Sequence, residues 1–387
     1  MPVLPHVIGL DIGGANLKSA SNRGTTHDQY FPLWKHPEQL TEALAKLLRA
    51  HHSQDGPASA LALTMTGELA DSFDNRSEGV RSILASVKHA SDQLRCQNPP
   101  TTPPVYVYTI HGQPNAPSSF RWQSVETVIQ SPLTAAASNW HCLATWIAAR
   151  SGNDEEFQLL LDIGSTTTDV VPLAHQKVAS ASVTDLDRLR SGELVYTGIR
   201  RSPVCAVLQS VNIDNATIPL MAENFATSDD AYLALKLTDE RPEDTDTADG
   251  RPRTHNAAMQ RLSKMLGEDL ETLGSEWVTL IAKQVVAAQS TAIARAIRQV
   301  VNTHGSPEHQ LPDATVPVVV SGHGGPLWQR AIKEINCSAR TTLGDWKVEV
   351  KSDLATELGP EKSRVAPALA AAELLCENLA NKRQPGA

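Results

Sequence analysis

Two aspartates, a glycine and four consecutive hydroxyl residues are gathered in one run, Asp162-Ile163-Gly164-Ser165-Thr166-Thr167-Thr168-Asp169. Carboxylate oxygens are ligands for a hard divalent cation. Backbone N–H groups and hydroxyls at a tight turn can cradle phosphate oxygens. Leu159-Leu160-Leu161 before the run and Val170-Val171 after it are apolar, so the stretch reads as a β-hairpin whose tip carries donors. An ordinary hairpin with Ser and Thr in its turn is the plain alternative. A second copy weighs against it. Val7-Ile8-Gly9-Leu10-Asp11-Ile12-Gly13-Gly14-Ala15-Asn16-Leu17-Lys18 again reads apolar strand, Asp, Ile, Gly, small residues and a return strand. The two copies lie about one domain length apart, which suggests two similar domains and not a solenoid.

A third glycine feature follows late in the chain. The β-branched run Val316-Pro317-Val318-Val319-Val320 leads into Ser321-Gly322-His323-Gly324-Gly325 and then a helix. Glycines there let a ligand approach the backbone, and the helix N-terminus favours an anion or a flat ring edge. His323 reads as a ligand contact, a general acid/base or a plain turn histidine. Thr66, Glu68 and Asp71 follow the short apolar strand Ala60–Met65. In open parallel sheets ligands collect beyond the carboxyl ends of strands, which makes these three site candidates; a helix cap with a capping carboxylate is the alternative. Arg200 and Arg201 follow a short strand and read either as a fork for an anionic group or as solvated surface charge.

These residues need elements to hold them. The pattern predicts helices over 37–50, 78–94, 132–149, 229–237, 254–267, 277–302 and 365–379, and further strands over 28–33, 105–110 and near Lys177. Proline-rich 99–104 is a break, and Ser151-Gly152-Asn153-Asp154 marks a boundary between lobes of residues 1–152 and 153–387. The polar stretch 238–253, with Asp239, Glu240, Glu243, Asp244, Asp246 and Asp249, is expected to be a mobile surface loop or a lid. Pro385-Gly386-Ala387 reads as a frayed end.

Composition sets the outer bounds. The 387 residues are 41% hydrophobic, enough for about two domains with cores of their own. A formal net charge of −9 favours neither nucleic acid nor an anionic membrane as partner. The five cysteines, Cys96, Cys142, Cys205, Cys337 and Cys376, form no C-x-x-C pair, which argues against a cysteine zinc site or a disulfide framework. No signal-peptide pattern and no apolar run of about 18 residues is visible, so a cytoplasmic protein is expected.

Asp11-Ile12-Gly13-Gly14, Asp162–Asp169 and Ser321–Gly325, in this order, resemble the two phosphate motifs and the adenosine motif of the acetate and sugar kinase, heat-shock chaperone and actin superfamily. The resemblance spans nearly the whole chain. It implies an α/β protein of two RNase-H-like (actin-like ATPase) lobes, with a phosphate-bearing small molecule and Mg2+ in a cleft between them. Thr64–Asp71, Gly192–Arg201 and Glu223-Asn224-Phe225-Ala226-Thr227 are similar to the hydantoinase/oxoprolinase-like branch. Within that branch they look most like the group linked to tetrahydromethanopterin-dependent one-carbon transfer and methanofuran biosynthesis.

That resemblance implies a transferase. The diphosphate of an aminomethyl-furan-methanol would condense with the phenol of γ-glutamyl-tyramine, giving an aryl ether and pyrophosphate. In its terms Asp11, Asp162 and Asp169 hold magnesium. Gly13, Gly14, Gly164, Ser165, Thr166 and Thr168 hold phosphate oxygens, with Lys18 and Thr66 nearby, and Arg200 and Arg201 hold a diphosphate or carboxylate. Gly322, Gly324 and Gly325 line the ligand. Glu68 is the first candidate for the base that takes the phenol proton, and His323 the second. ATP is allowed but not required. An ATP-dependent kinase or hydantoinase-like enzyme, and a nucleotide-binding scaffold, are the competing readings. A homodimer is left open.

Overall fold

The structure is a computed structural model that describes residues 4–94, 102–110, 121–152, 156–306, 308, 314–338 and 346–382. Part of the proline-rich break, the boundary residues 153–154, Cys96 and the 385–387 end lie outside the described residues. The chain forms two compact units. The first takes the described residues of Met1–Glu156, Leu173–Asp185 and Leu354–Ala387, and the second those of Phe157–Pro172 and Leu186–Asp353.

The first unit contains β1 (Val7–Ile12), β2 (Asn16–Ser21), β3 (Thr26–Tyr30), α1 (Leu40–Asp55), β4 (Ala60–Met65), α2 (Arg76–Gln93), β5 (Val105–Tyr108), β6 (Trp122–Ser124), α3 (Val125–Gln130) and α4 (Asn139–Ala148). The chain then runs through β7 (Gln158–Ile163), β8 (Thr168–Ala174), β9 (Lys177–Val178), α5 (Asp185–Ser191), β10 (Leu194–Val195), α6 (Val204–Val207), β11 (Ser210–Ile213) and β12 (Ala216–Pro219). It continues with α7 (Ser228–Ala234), α8 (His255–Ser263), α9 (Leu270–Leu273), α10 (Ser275–His304), β13 (Thr315–Gly322), α11 (Gly325–Ser338) and β14 (Lys347–Asp353), and closes with α12 (Leu354–Leu358), α13 (Pro360–Arg364) and α14 (Ala366–Lys382).

The first sheet has the order β3-β2-β1-β4-β5-β6 and the second β10-β8-β7-β13-β14. In each, the opening hairpin is antiparallel and the two strands on its other side are parallel: β1 to β4 to β5, and β7 to β13 to β14. These are two RNase-H-like α/β units, the repeat that the twin Asp-Ile-Gly hairpins imply. Parallel strands covered by helices on both faces are apolar throughout. All six residues of β1 and all six of β4 are buried, Asp11 among them. The long helix α10 buries Val278, Ile281, Val285, Val286, Ile293, Ile297 and Val300 at helical spacing, the face that its sequence predicts.

One expected element is split. Residues 132–149 are not one helix: a 3-10 turn, Pro132–Thr134, is separated from α4 by residues 135–138. Ala137 has φ 48 there. Ser138 N–H donates to Met65 C=O at 2.9 Å, which ties this crossing to the end of β4. Ser138 followed by Asn139 is a helix-start signal that the strong apolar periodicity masks.

Gly9 sits in the middle of β1 under α14. A Cβ added there would collide with the carbonyl oxygen of Ala368. Gly9→Val is therefore expected to lower stability by about 1–3 kcal/mol, through lifting α14 off the sheet. Urea unfolding checks this, and an unchanged midpoint would mean that α14 does not seat on β1.

Candidate functional site

In the first unit, β1 runs through Asp11 into the turn Gly13–Asn16. Gly13 N–H closes the turn on Asn16 C=O at 3.0 Å. Leu33 N–H holds Gly14 C=O at 2.9 Å from outside. Asp11 is 4% exposed and pairs in register with Lys18 of β2 on one side and Thr64 of β4 on the other. The chain leaving β4 lies against this turn. Thr66 N–H donates to Ile12 C=O at 2.9 Å, and a Cβ on Gly67 would come within 3.1 Å of the Gly13 carbonyl. The glycine at 67 thus lets Glu68 come up to the Gly13 turn.

Glu68 is 2% exposed. Its Oε1 accepts the Ala137 N–H at 2.9 Å, and an Arg76 guanidinium nitrogen lies 3.7 Å from the same oxygen. Burial pushes its carboxyl up to about 7, against the lowering pull of Arg76 and the Ala137 N–H; Asp185 adds a further upward push. A carboxyl with this pKa exchanges protons at neutral pH, as a general acid/base must. The capping alternative does not hold for Glu68. Asn75 caps α2, accepting the Glu78 N–H at 3.0 Å. Asp71 and Thr66 are exposed.

The second unit repeats the arrangement. Gly164 N–H closes its turn on Thr167 C=O at 2.9 Å. Ile199 N–H holds Gly164 C=O at 3.1 Å, and the N–H groups of Arg200 and Arg201 both donate to Ser165 C=O, at 3.0 and 2.8 Å. Gly198 permits this contact, because a Cβ there would fall 2.6 Å from Gly164 O. After β13, His323 N–H donates to Ile163 C=O at 3.1 Å, as Thr66 does to Ile12. His323 Nε2 and Ser165 Oγ are 3.3 Å apart. Gly322 has φ +85, and an added Cβ would strike the Ile163 carbonyl and lie 3.0 Å from Asp162 Oδ1. Gly324 stacks on the Ile163 side chain as Gly67 stacks on Gly13.

Each unit therefore gathers several of the expected residues. In the first these are Gly13, Gly14, Thr66 and Glu68; in the second Gly164, Ser165, Thr166, Gly322, His323 and Gly324. The N–H groups of Gly13 and Gly164 are spent on closing their turns. A Cβ added at Gly14 or at Gly325, which opens α11, would meet nothing within 4 Å.

Other expected residues are engaged elsewhere. Thr168 is fully buried, and its Oγ1 donates to Thr197 C=O at 2.8 Å. Asp169 is held by the Arg188 guanidinium at 2.6 Å. Arg200 pairs with Asp244 at 2.9 Å and Arg201 with Asp246 at 2.5 Å. These arginines are thus neither an open anion fork nor solvated charge. Their partners lie in the acidic 238–253 stretch, and Asp249 in the same stretch pairs with Arg261 at 3.1 Å. The stretch is pinned by ion pairs within its own unit, so its acidity reflects internal pairing and not mobility. Among the described residues, no group of three or more His, Cys, Asp or Glu side chains is positioned to hold a metal ion. Nor is any helix among them long and apolar enough to cross a membrane.

Sequence reasoning missed Ala137, Arg76 and Gly198. Gly198 carried a usable signal, a glycine directly before Ile199-Arg200-Arg201. Ala137 carried none.

The hydantoinase/oxoprolinase family matches residues 60–355. A Methanocaldococcus jannaschii protein named (4-{4-[2-(gamma-L-glutamylamino)ethyl]phenoxymethyl}furan-2-yl)methanamine synthase is 30% identical over 87% of this chain and 92% of its own. A Methanococcus vannielii protein of the same name is 29% identical over 49% of this chain and 80% of its own. Among solved structures, the ROK hexokinase from Thermus thermophilus aligns over 96% of this chain and 99% of its own, with 14% identity and a TM-score of 0.43. The family match covers well over half of the chain, and the chain is a member of the hydantoinase/oxoprolinase family.

Proposed function

We propose that the protein is a transferase that joins a phenol to a furan-methyl carbon, with release of pyrophosphate. The observation that carries this reading is the 30% identity, over 87% of this chain, to a relative whose name describes a phenoxymethyl-furan amine. The reactants are the diphosphate ester of an aminomethyl-furan-methanol and γ-glutamyl-tyramine or a close analogue. The phenol oxygen forms a bond to the furan-methyl carbon as the bond from that carbon to the diphosphate oxygen breaks. The electron pair leaves with pyrophosphate, and the phenol proton passes to Glu68.

The chain's own groups suit these steps. The phenol has an ordinary pKa of about 10, so a base is needed at neutral pH. Glu68, poised near neutrality beside the Gly13 turn, is that base in this reading. His323, 3.3 Å from Ser165 Oγ, orients the second turn. In the second unit the N–H groups of Ser165 and Thr166, with the Thr166 hydroxyl, suit pyrophosphate oxygens as preorganised dipoles, and in the first unit Gly14 offers an N–H of the same kind. Asp11 and Asp162, each at the end of a strand leading into a glycine turn, suit a hard cation, whereas Asp169 does not because Arg188 holds it. Bound magnesium would be held by Asp11 or Asp162 and would supply charge neutralisation for the leaving group.

The direct experiment incubates the purified protein with the furan diphosphate and the phenolic amine and looks for the ether and pyrophosphate by mass. Absence of both products with an intact, folded protein sinks the reading. A second expected outcome concerns stability. Pyrophosphate with magnesium at about 100 times its Kd should stabilise the native state by about 2.7 kcal/mol, read as a raised melting temperature. A strong response to ATP with slow phosphate release, and none to pyrophosphate, would favour an ATP-dependent enzyme instead.

A further inference from the structure

A cavity of about 420 Å³ opens in the first unit between the 3-10 turn Gly67–Leu69, the start of α2 and Leu133. The volume is in the range of small-molecule sites. Its walls include Leu69, Phe73 and Leu133. Leu69 and Leu133 are 60% and 47% exposed, a large apolar area for two side chains flanking one opening. Glu68 and Arg76 also line it.

These two polar residues share an unusual feature. Glu68 Oε1 is engaged by Ala137, but Glu68 Oε2 is enclosed with no hydrogen-bond partner in the protein. Arg76 Nε is likewise enclosed and unpartnered. An enclosed polar atom without a partner is costly, and such atoms in a native fold call for an explanation. Here one is an acceptor and the other a donor that can never accept. A ligand carboxylate would answer Arg76 and be repelled by Glu68. An ammonium would answer Glu68 and be repelled by Arg76. A hydroxyl donates to the one and accepts from the other.

We propose that this cavity is the acceptor subsite. It receives an aryl hydroxyl, with the ring against Leu69, Phe73 and Leu133 and the oxygen between Glu68 Oε2 and Arg76 Nε. The assignment to the acceptor rests on the transferase reading; the preference for an aryl hydroxyl does not. Arg76 then has a role of its own. It receives the lone pair that the phenol oxygen keeps while Glu68 takes the proton, so the nucleophile is held and activated by one pair of side chains.

The test uses the full chain and two probes that differ by one oxygen, tyramine and phenethylamine, followed by calorimetry and by saturation-transfer NMR. Tyramine should bind about tenfold or more tighter, because the site loses two hydrogen bonds with the deoxy analogue. Arg76→Leu should reduce that ratio to about twofold or less. Leu133→Arg, a change at an exposed position on the cavity wall, should abolish tyramine binding while the melting temperature stays near that of the parent. Equal affinity for the two probes, or undiminished tyramine binding in the Leu133→Arg variant, overturns the inference. Loss of tyramine binding in that variant, from a parent protein that forms no ether, upholds the cavity and refutes the transferase reading. Ether formation with unchanged KM for the phenol in Leu133→Arg does the reverse.

Discussion

Glu68→Gln is expected to lower kcat/KM about 10²- to 10⁴-fold at neutral pH, the usual span for removing a general base. The pH profile identifies the cause. The parent needs Glu68 ionised, so its rate should climb as pH passes through about 7, where burial holds this carboxyl. The variant should lack that limb, and its deficit should shrink toward about pH 10, where the phenol ionises unaided. Stability should move the other way. The folded pKa of about 7 lies above the ordinary 4.5. Below the lower value both states carry the proton and nothing is gained or lost. Between the two values the folded protein keeps a proton that the unfolded chain has released, so stability falls as pH rises. Above the higher value the deficit is complete, on the order of 3 kcal/mol. Glutamine has no such deficit, so the variant should melt above the parent near about pH 8 and close to it near about pH 4. A variant that melts lower and keeps the parental pH profile would make Glu68 a structural carboxyl.

The second large effect lies in the ion-pair network of the other unit. Asp229 and Asp230 are adjacent on α7 and both buried, and each has its own arginine. Arg253 grips Asp229 through two nitrogens, at 2.5 and 2.7 Å. Arg261, fully buried, meets Asp230 at 2.7 Å and Asp249 at 3.1 Å. Asp230 also completes the capping box with Thr227 that starts α7. Even with Arg261 present, burial holds the Asp230 carboxyl up at about 6. Arg261→Met should therefore cost about 3–5 kcal/mol, because it strands a buried carboxylate. Urea unfolding of this variant should show a lower midpoint, with partial recovery in the double variant that also carries Asp230→Asn. Limited proteolysis should open first within 238–253, which loses its Asp249 anchor. A cost below about 1 kcal/mol would mean that the pair is solvated and the stretch is held by its other contacts.

What could be read from the sequence follows the range of the interactions involved. The twin hairpins were legible because Asp11 and Asp162 each stand in a local pattern, apolar strand into glycine turn, that repeats. The periodic helices over α1, α2 and α10 were legible for the same reason, since a 3.6-residue period is written within one segment. Arg200 and Arg201 were misread because their partners Asp244 and Asp246 lie beyond α6, the β11–β12 hairpin and α7. No local signal separates an arginine awaiting an anion from one already paired. Glu68 was singled out from its place after a parallel strand, and the structure buries it there. Its raised pKa was not legible, since that depends on burial by segments distant in the chain, which outweighs the lowering pull of Arg76 and the Ala137 N–H.

The first unit is interrupted in the chain. Its sheet begins with β1, yet the helix that covers Gly9 of β1 is α14, which is synthesised after the whole of 186–353. A ribosome therefore releases every residue of the second unit before the first has its last layer. For most of synthesis, β1 and β4 lack one of their covering helices and leave apolar side chains uncovered toward other nascent chains. The second unit has no such delay, because Phe157–Pro172 and Leu186–Asp353 emerge together. The order of emergence makes the amino-terminal sheet the later of the two to mature, and makes α14 the element that completes its cover.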